Sequence, residues 1–259
     1  MVYAGAKLRL RAVAKSKECV VCGHIYILPP DCANVCLMPE IIFTDITETV
    51  PSQFYPKPAK NFIPNWIKHL PPYIKDTGSM TGKKCIPMLD AVMSGYMIVI
   101  TDDLKISKGE DGFTSYEWKD GLGIEFHDAK QLETNQKAGG KNIPKWVSPW
   151  SIETPKGYSC LFVAPLNSDP IPFEVFSGVV DTDSYFFPVS FPFTLKDDNF
   201  TGIVPAGTPI AQVFPFKRES WKSRFATKTT SKIRQSYRII SGSYRNGYKK
   251  YLRKQKSFE

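Results

Sequence analysis

Ser159-Cys160-Leu161-Phe162-Val163-Ala164, a turn at Asn167-Ser168-Asp169-Pro170, and then Phe173-Glu174-Val175-Phe176-Ser177-Gly178-Val179-Val180 together set the architecture of this chain. Both apolar runs are short, rich in aromatic and β-branched residues, and bounded by turn formers, which predicts strands rather than helices. Working outward, residues 185–194 read as an extended aromatic strand, in which Pro188 and Pro192 predict an edge or a bulge. Lys196-Asp197-Asp198-Asn199 and Pro205-Ala206-Gly207-Thr208 read as turns, and residues 210–216 as a closing strand. Upstream, Tyr96-Met97-Ile98-Val99-Ile100-Thr101 predicts a buried strand and residues 113–119 a half-buried one after a Gly109–Gly112 turn. Residues 120–149 are polar and glycine-rich, which predicts a long surface loop around a short strand at 124–127. Ile41-Ile42-Phe43 predicts a further strand, and residues 85–91 a turn or short helix. Pro64 and Pro71 bracket one short helix at 65–70, with Trp66 as its core anchor. Many short strands spaced by turns predict a mostly β fold, a jelly roll or β-sandwich with a few short helices.

The 259 residues suffice for one large β core. No apolar run approaches the roughly 18 residues that would span a bilayer, and no apolar segment follows the basic N-terminus as in a secretory signal. The default expectation is a cytosolic setting. Charge divides the chain. Residues 217–259 carry 14 Lys and Arg against 2 acidic residues, a net +12, while the other 216 residues hold 20 basic and 23 acidic ones, a net −3. A near-neutral body with a basic tail predicts an electrostatic partner such as nucleic acid, an anionic membrane surface or an acidic protein, and equally a solvated helix.

Three features bear on chemistry. Asp181 and Asp183, two apart on an extended strand, are expected to point to one face, where like charge raises one pKa or a divalent ion such as magnesium (Mg) is held. Cys19-Val20-Val21-Cys22-Gly23-His24 has the form of a zinc knuckle, with Cys32 and Cys36 as a second pair after nine intervening residues, and His24 as a replacement ligand. Metal-free thiols, or a segment lying ahead of the native start at Met38, are the other readings of residues 1–37. The tail interleaves Tyr237, Arg238, Tyr248, Lys249, Lys250 and Tyr251, a pattern that suits phosphate contacts with base stacking and equally a helix packed through its tyrosines. The tail is expected to form one or two basic helices packed on the body or on a neighbouring subunit through Trp221, Phe225, Tyr237 and Ile240, interrupted at Gly242 and Gly247. Cys85 and Cys160 read as core thiols, and His69 and His127 as surface or satisfied histidines. The sequence carries no serine nucleophile elbow, Walker loop or Rossmann fingerprint.

Three segments resemble the trimeric dUTPase and dCTP deaminase superfamily: Thr154-Pro155-Lys156-Gly157-Tyr158-Ser159, Ser177-Gly178-Val179-Val180-Asp181-Thr182-Asp183-Ser184-Tyr185, and Ala206-Gly207-Thr208-Pro209-Ile210-Ala211-Gln212-Val213. The resemblance implies that Asp181 orients an attacking water and that Tyr185 shapes a base pocket. It departs at the extra Ser184, and at Ala164-Pro165-Leu166-Asn167-Ser168, which stands where the family's arginine-bearing phosphate motif belongs. From about Met38 onward the chain also resembles a family of phage and bacterial proteins, through Pro64-Asn65-Trp66, Lys84-Cys85-Ile86-Pro87-Met88-Leu89-Asp90-Ala91, Gly95-Tyr96 and Gln212-Val213-Phe214-Pro215-Phe216. That resemblance implies a fold and a phage setting, and no activity.

The expected organisation is a cysteine-containing segment (1–37), a dUTPase-like β core (38–219) and a basic helical tail (220–259). The expected function is a phage-encoded, non-catalytic binding or structural protein, partnered as a homo-oligomer or with virion proteins. The alternative is a nucleotide-processing enzyme acting through Asp181.

Overall fold

Runs of β-branched and aromatic residues separated by Gly, Pro and Asx turns give a mostly β molecule, described by the computed structural model over residues 18–21, 24–27, 39–110, 112–119, 123–132, 142–243 and 246–257. The chain divides into two units, Met1–Glu40 and Ile41–Glu259. In the first, β1 (Glu18–Val21) pairs antiparallel with β2 (His24–Ile27), Cys19 facing Tyr26 in the register. Cys22, Cys32 and Cys36 lie outside the described residues, as do the side chains of Cys19 and His24, so the zinc knuckle does too.

The second unit runs β3 (Ile42–Asp45), β4 (Lys57–Pro58), α1 (Asn65–His69), α2 (Ile86–Met93), β5 (Tyr96–Val99), β6 (Leu104–Lys108), β7 (Thr114–Trp118) and β8 (Ile124–His127). It continues with β9 (Ile143–Trp146), β10 (Trp150–Glu153), β11 (Tyr158–Val163), β12 (Phe173–Val175), β13 (Gly178–Val180), β14 (Phe191–Leu195), β15 (Gly202–Val204), β16 (Pro209–Lys217) and α3 (Ser231–Gly242). The described strands pair antiparallel throughout, in sheets ordered β13-β11-β16-β5-β4, β12-β14-β9-β8, β15-β6-β7 and β10-β3. One apolar core joins them. Ile98 and Val213 enter it from the first sheet, Trp146, Phe173 and Phe193 from the second, Leu104 and Ile106 from the third, and Trp150 and Ile152 from the pair. Trp146 stacks on Phe193 at 4.9 Å, and Phe173 meets both rings edge-on. Burying each such side chain contributes about 1.5–3 kcal/mol. The period of two shows in β6, where Leu104 and Ile106 are buried and Lys105 between them is exposed.

Several expectations are corrected. Residues 120–149 are not a surface loop alone, because Ile143 and Trp146 of β9 are buried and pair β8 with β14. Residues 173–180 are two strands, β12 and β13, which leave for different sheets at Phe176-Ser177. Pro192 lies in β14, inside its sheet rather than at an edge. Trp66 is 38% exposed and Ile67 is the buried residue of α1, since a single helical turn presents only one side chain fully to the core. Cys85 is exposed, standing ahead of α2, whereas Cys160 is buried. The tail is helical over α3, capped by Thr230, whose hydroxyl accepts from Ile233 N, and it ends at Gly242. Trp221, Phe225, Tyr237 and Ile240 do not dock on their own body; all four are exposed.

Candidate functional site

Three adjacent strands bring the site together. In β11, Cys160 faces Val180 of β13 on one side, and Tyr158 faces Lys217 of β16 on the other. The residues that follow β13 and β16 therefore arrive on either flank of the same strand end. Gly157, at φ +91°, turns the chain into β11 with a backbone that favours glycine, and its carbonyl accepts from Arg218 N at 2.8 Å.

β13 stops at Val180, so the two aspartates sit on a turn rather than on the strand: Ser184 N and Tyr185 N both donate to the Asp181 carbonyl, at 3.0 and 2.9 Å. Thr182 points inward, fully buried, its hydroxyl 2.7 Å from that of Thr154 and 3.4 Å from the Cys160 sulfur. With Thr182 inward, Asp181 and Asp183 both reach Arg218, although they lie on a turn and not on the strand their spacing was expected to share. Arg218 Nη1 donates to Asp181 Oδ1 at 3.2 Å and to Asp183 Oδ1 at 2.9 Å, and Nη2 donates to Asp183 Oδ2. Nη1 also reaches Ser159 Oγ at 3.0 Å and the Tyr158 carbonyl at 2.7 Å, while Ser159 Oγ donates to Asp181 Oδ1 at 2.7 Å. Gly157 N completes the shell of Asp183 Oδ2 at 2.7 Å.

The two carboxylates differ in consequence. The Asp183 side chain is 7% exposed with both oxygens engaged, and that of Asp181 is 62% exposed. The like-charge effect expected for the pair is overridden: the Arg218 guanidinium and the Gly157 N–H hold the Asp183 carboxyl at about 2, below its ordinary 3.8. Asp183 in turn pushes the Arg218 pKa up. Tyr185 stands half exposed beside the turn, its ring edge-on to Phe187 at 6.4 Å. Among the described residues, no three His, Cys, Asp or Glu side chains gather as a metal-binding group.

Arg218 is the residue that motif reading passed over. It follows the closing strand directly, at the end of the expected core, but nothing in its spacing links it to the aspartates; only the β11–β16 register shows where it lands.

The turn at Asn167-Ser168-Asp169 holds the start of α1. Asp169 Oδ2 accepts from Asn65 N at 2.7 Å and Oδ1 from Trp66 N at 3.1 Å, so a carboxylate already occupies the start of α1. Trp66 Nε1 donates to the Asn167 carbonyl at 2.8 Å. Gln212, fully buried, ties this turn to α2: its Oε1 accepts from Leu166 N at 2.9 Å, and its Nε2 donates to the carbonyls of Ala91 at 3.0 Å and Ser94 at 2.7 Å.

A second ionic site holds the far end of the tail. Asp90 on α2 is 6% exposed and accepts from Arg253 Nη2 at 2.7 Å, Arg253 Nε at 3.2 Å and Lys256 Nζ at 2.8 Å. Arg253 above all holds the Asp90 carboxyl below its ordinary range.

No family model matches this chain, and no curated protein matches it. Among solved structures it is similar to a mutant dUTPase of Staphylococcus bacteriophage 80alpha with dUpNHpp, at 10% identity and a TM-score of 0.34, over 74% of this chain and 90% of that one.

Proposed function

We propose that this chain is a phage-encoded, non-catalytic binding or structural protein on a dUTPase-like β core, a virion component or host-interaction factor. The observation that carries the reading is Arg218 closing on Asp181 and Asp183, which turns the carboxylate pair into an anchor for the root of the tail. Asp169 supports it, since a carboxylate at the start of α1 repels the phosphates that a nucleotide-binding loop would hold there. The resemblance of residues 64–66, 84–91, 95–96 and 212–216 to phage and bacterial proteins supports the phage setting. The test is a thermal-shift screen of nucleoside and deoxynucleoside triphosphates with and without magnesium. A ligand at a hundred times its Kd adds about 2.7 kcal/mol, which is about 5–10 °C at roughly 2–4 °C per kcal/mol. The expected result is no nucleotide-specific rise of that size.

One observation favours a second reading, a nucleotide-processing enzyme of the dUTPase or dCTP deaminase type. Asp181 stays largely exposed, and its Oδ2 takes part in none of the hydrogen bonds among the described residues. A rise with one deoxynucleotide that Asp181→Asn abolishes, together with turnover of that nucleotide, establishes that reading and removes the first.

A further inference from the structure

The tail leaves the body at Arg218, clamped to Asp181 and Asp183, and is held again at Arg253 and Lys256, clamped to Asp90. These clamps consume three of its cations at its two ends. Between them, residues 219–243 lie on the surface: an extended stretch to Thr230, then α3. Six cations fall in this span: Lys222, Arg224, Lys228, Lys232, Arg234 and Arg238. The one acidic residue, Glu219, is paired with Lys217 at 3.1 Å. The aromatics of the same span face solvent, with Trp221 88%, Phe225 104% and Tyr237 75% exposed. Three exposed rings thus interleave with six cations along one stretch of surface.

We infer that residues 219–243 form a binding surface for single-stranded nucleic acid, with Trp221, Phe225 and Tyr237 stacking on bases and the interleaved Lys and Arg side chains contacting phosphates. This deepens the binding-protein reading and rests on it. Charge complementarity selects a polyanion, because the span has no carboxylate left to meet a basic partner. The rings select a single strand, because a duplex keeps its base faces stacked on one another and a single strand offers them. A lipid surface fits less well. The apolar row of α3 is only Ile233, Tyr237 and Ile240, flanked by Ser236 and Ser241, and interfacial binding scales with buried apolar area.

The experiment measures fluorescence anisotropy of the full chain with a labelled oligo(dT) of about 20 nucleotides, a duplex of equal length, and vesicles containing anionic phosphatidylserine, each across a salt series. Oligo(dT) is expected to bind more tightly than duplex or vesicles. Its log affinity should fall with log salt at a slope near −4, about −0.7 for each of six phosphates neutralised. The variant W221A/F225A/Y237A should weaken oligo(dT) binding at fixed salt by about tenfold for each stacked base, leaving the slope unchanged. The variant K222Q/R224Q/K228Q should flatten the slope by about two. All six side chains are exposed, so both variants keep the fold. Absence of oligo(dT) binding at low salt, equal or tighter binding of duplex or vesicles, or an unaffected aromatic variant each overturns the inference. None of those outcomes touches the mononucleotide screen, which tests the core reading separately.

Discussion

Arg218 meets Asp183 with both terminal guanidinium nitrogens across 35 residues of sequence, and the same Nη1 reaches Asp181, so one cation closes the turn that follows β13 onto the root of the tail. The geometry is fork to fork, the arrangement in which a lysine cannot replace an arginine. Arg218→Lys is therefore expected to lower the unfolding midpoint in urea nearly as far as Arg218→Ala. An Arg218→Lys protein as stable as wild type would show that the bidentate contact contributes nothing.

The same pair sets an acid dependence. The Asp183 carboxyl sits at about 2 in the folded chain against an ordinary 3.8. The native state thus binds this proton more weakly than the unfolded state does. Its contribution to stability is complete above about pH 4 and is lost as the pH falls toward 2. Asp90 and Asp45 are also held low and add their own acid sensitivity, so the informative quantity is the difference between wild type and Asp183→Asn. That difference should be constant from pH 7 to 5 and shrink below about pH 4. Unfolding curves that stay parallel down to pH 2 would remove the ion pair as its source.

What the sequence made legible follows from how local each cause is. Met97 to Ile100 and Cys160 to Phe162 are read as strands because their burial shows in consecutive apolar residues. β9 escapes because Pro144 and Lys145 interrupt its apolar pattern and a polar, glycine-rich run precedes it, although Ile143 and Trp146 are core residues. The break between β12 and β13 escapes because Phe176 and Ser177 look no less extended than their neighbours; what separates them is the choice of two different sheets. The aspartates of the site were visible as a motif. Their partner was not, because the contact depends on the β11–β16 register rather than on spacing along the chain.

Gln212 is expected to behave as a structural residue. Its side chain satisfies one amide N–H and two carbonyls that bridge the 165–168 turn, α2 and β16. Gln212→Leu keeps the approximate size but strands all three groups, at about 1–3 kcal/mol for each one left unsatisfied. A loss of at least about 3 kcal/mol in urea-unfolding free energy is the expected outcome. A loss below about 1 kcal/mol, within the range of an ordinary substitution, contradicts the role assigned to it.

Gly95 is a second position where the fold leaves no latitude. It sits at φ +72°, and a Cβ there would lie 2.1 Å from the Val213 carbonyl oxygen, which belongs to the backbone of β16 and cannot rotate away. Its own carbonyl accepts from Ala59 N at 2.9 Å, so shifting the backbone to relieve the clash breaks that contact. A left-handed non-glycine residue costs roughly 1–2 kcal/mol, and overpacking typically adds about 1–3 kcal/mol. Gly95→Ala is expected to lose on the order of 3 kcal/mol by denaturant titration. Gly157→Ala is the control: it shares the positive φ (+91°) but has no atom within 4 Å of the added methyl, so it should lose only the conformational part. Equal losses at the two sites would show that the Val213 contact carries no penalty.

Asp90→Asn tests whether the far end of the tail is held by charge. The carboxylate is nearly buried on α2 and takes three hydrogen bonds from Arg253 and Lys256. Asparagine keeps one acceptor but removes the charge and the second oxygen, leaving two cations without their counterion. Residues 248–252 form a π-helical turn whose closing bond runs from Arg253 N to the Tyr248 carbonyl at 2.8 Å, with Lys250 N donating to the Asn246 carbonyl at 3.0 Å. Those two amides should be protected from hydrogen exchange while Asp90 holds the segment, and exposed when it lets go. In Asp90→Asn their exchange is expected to accelerate by on the order of tenfold or more, with amides of β11 and β16 unchanged, because the opening is local. Raising the ionic strength should not mimic the substitution in wild type, since salt screens a nearly buried pair far less than an exposed one. If the 248–253 amides exchange at the same rate in both proteins, the segment is held by its own helical turn and Asp90 does not anchor it.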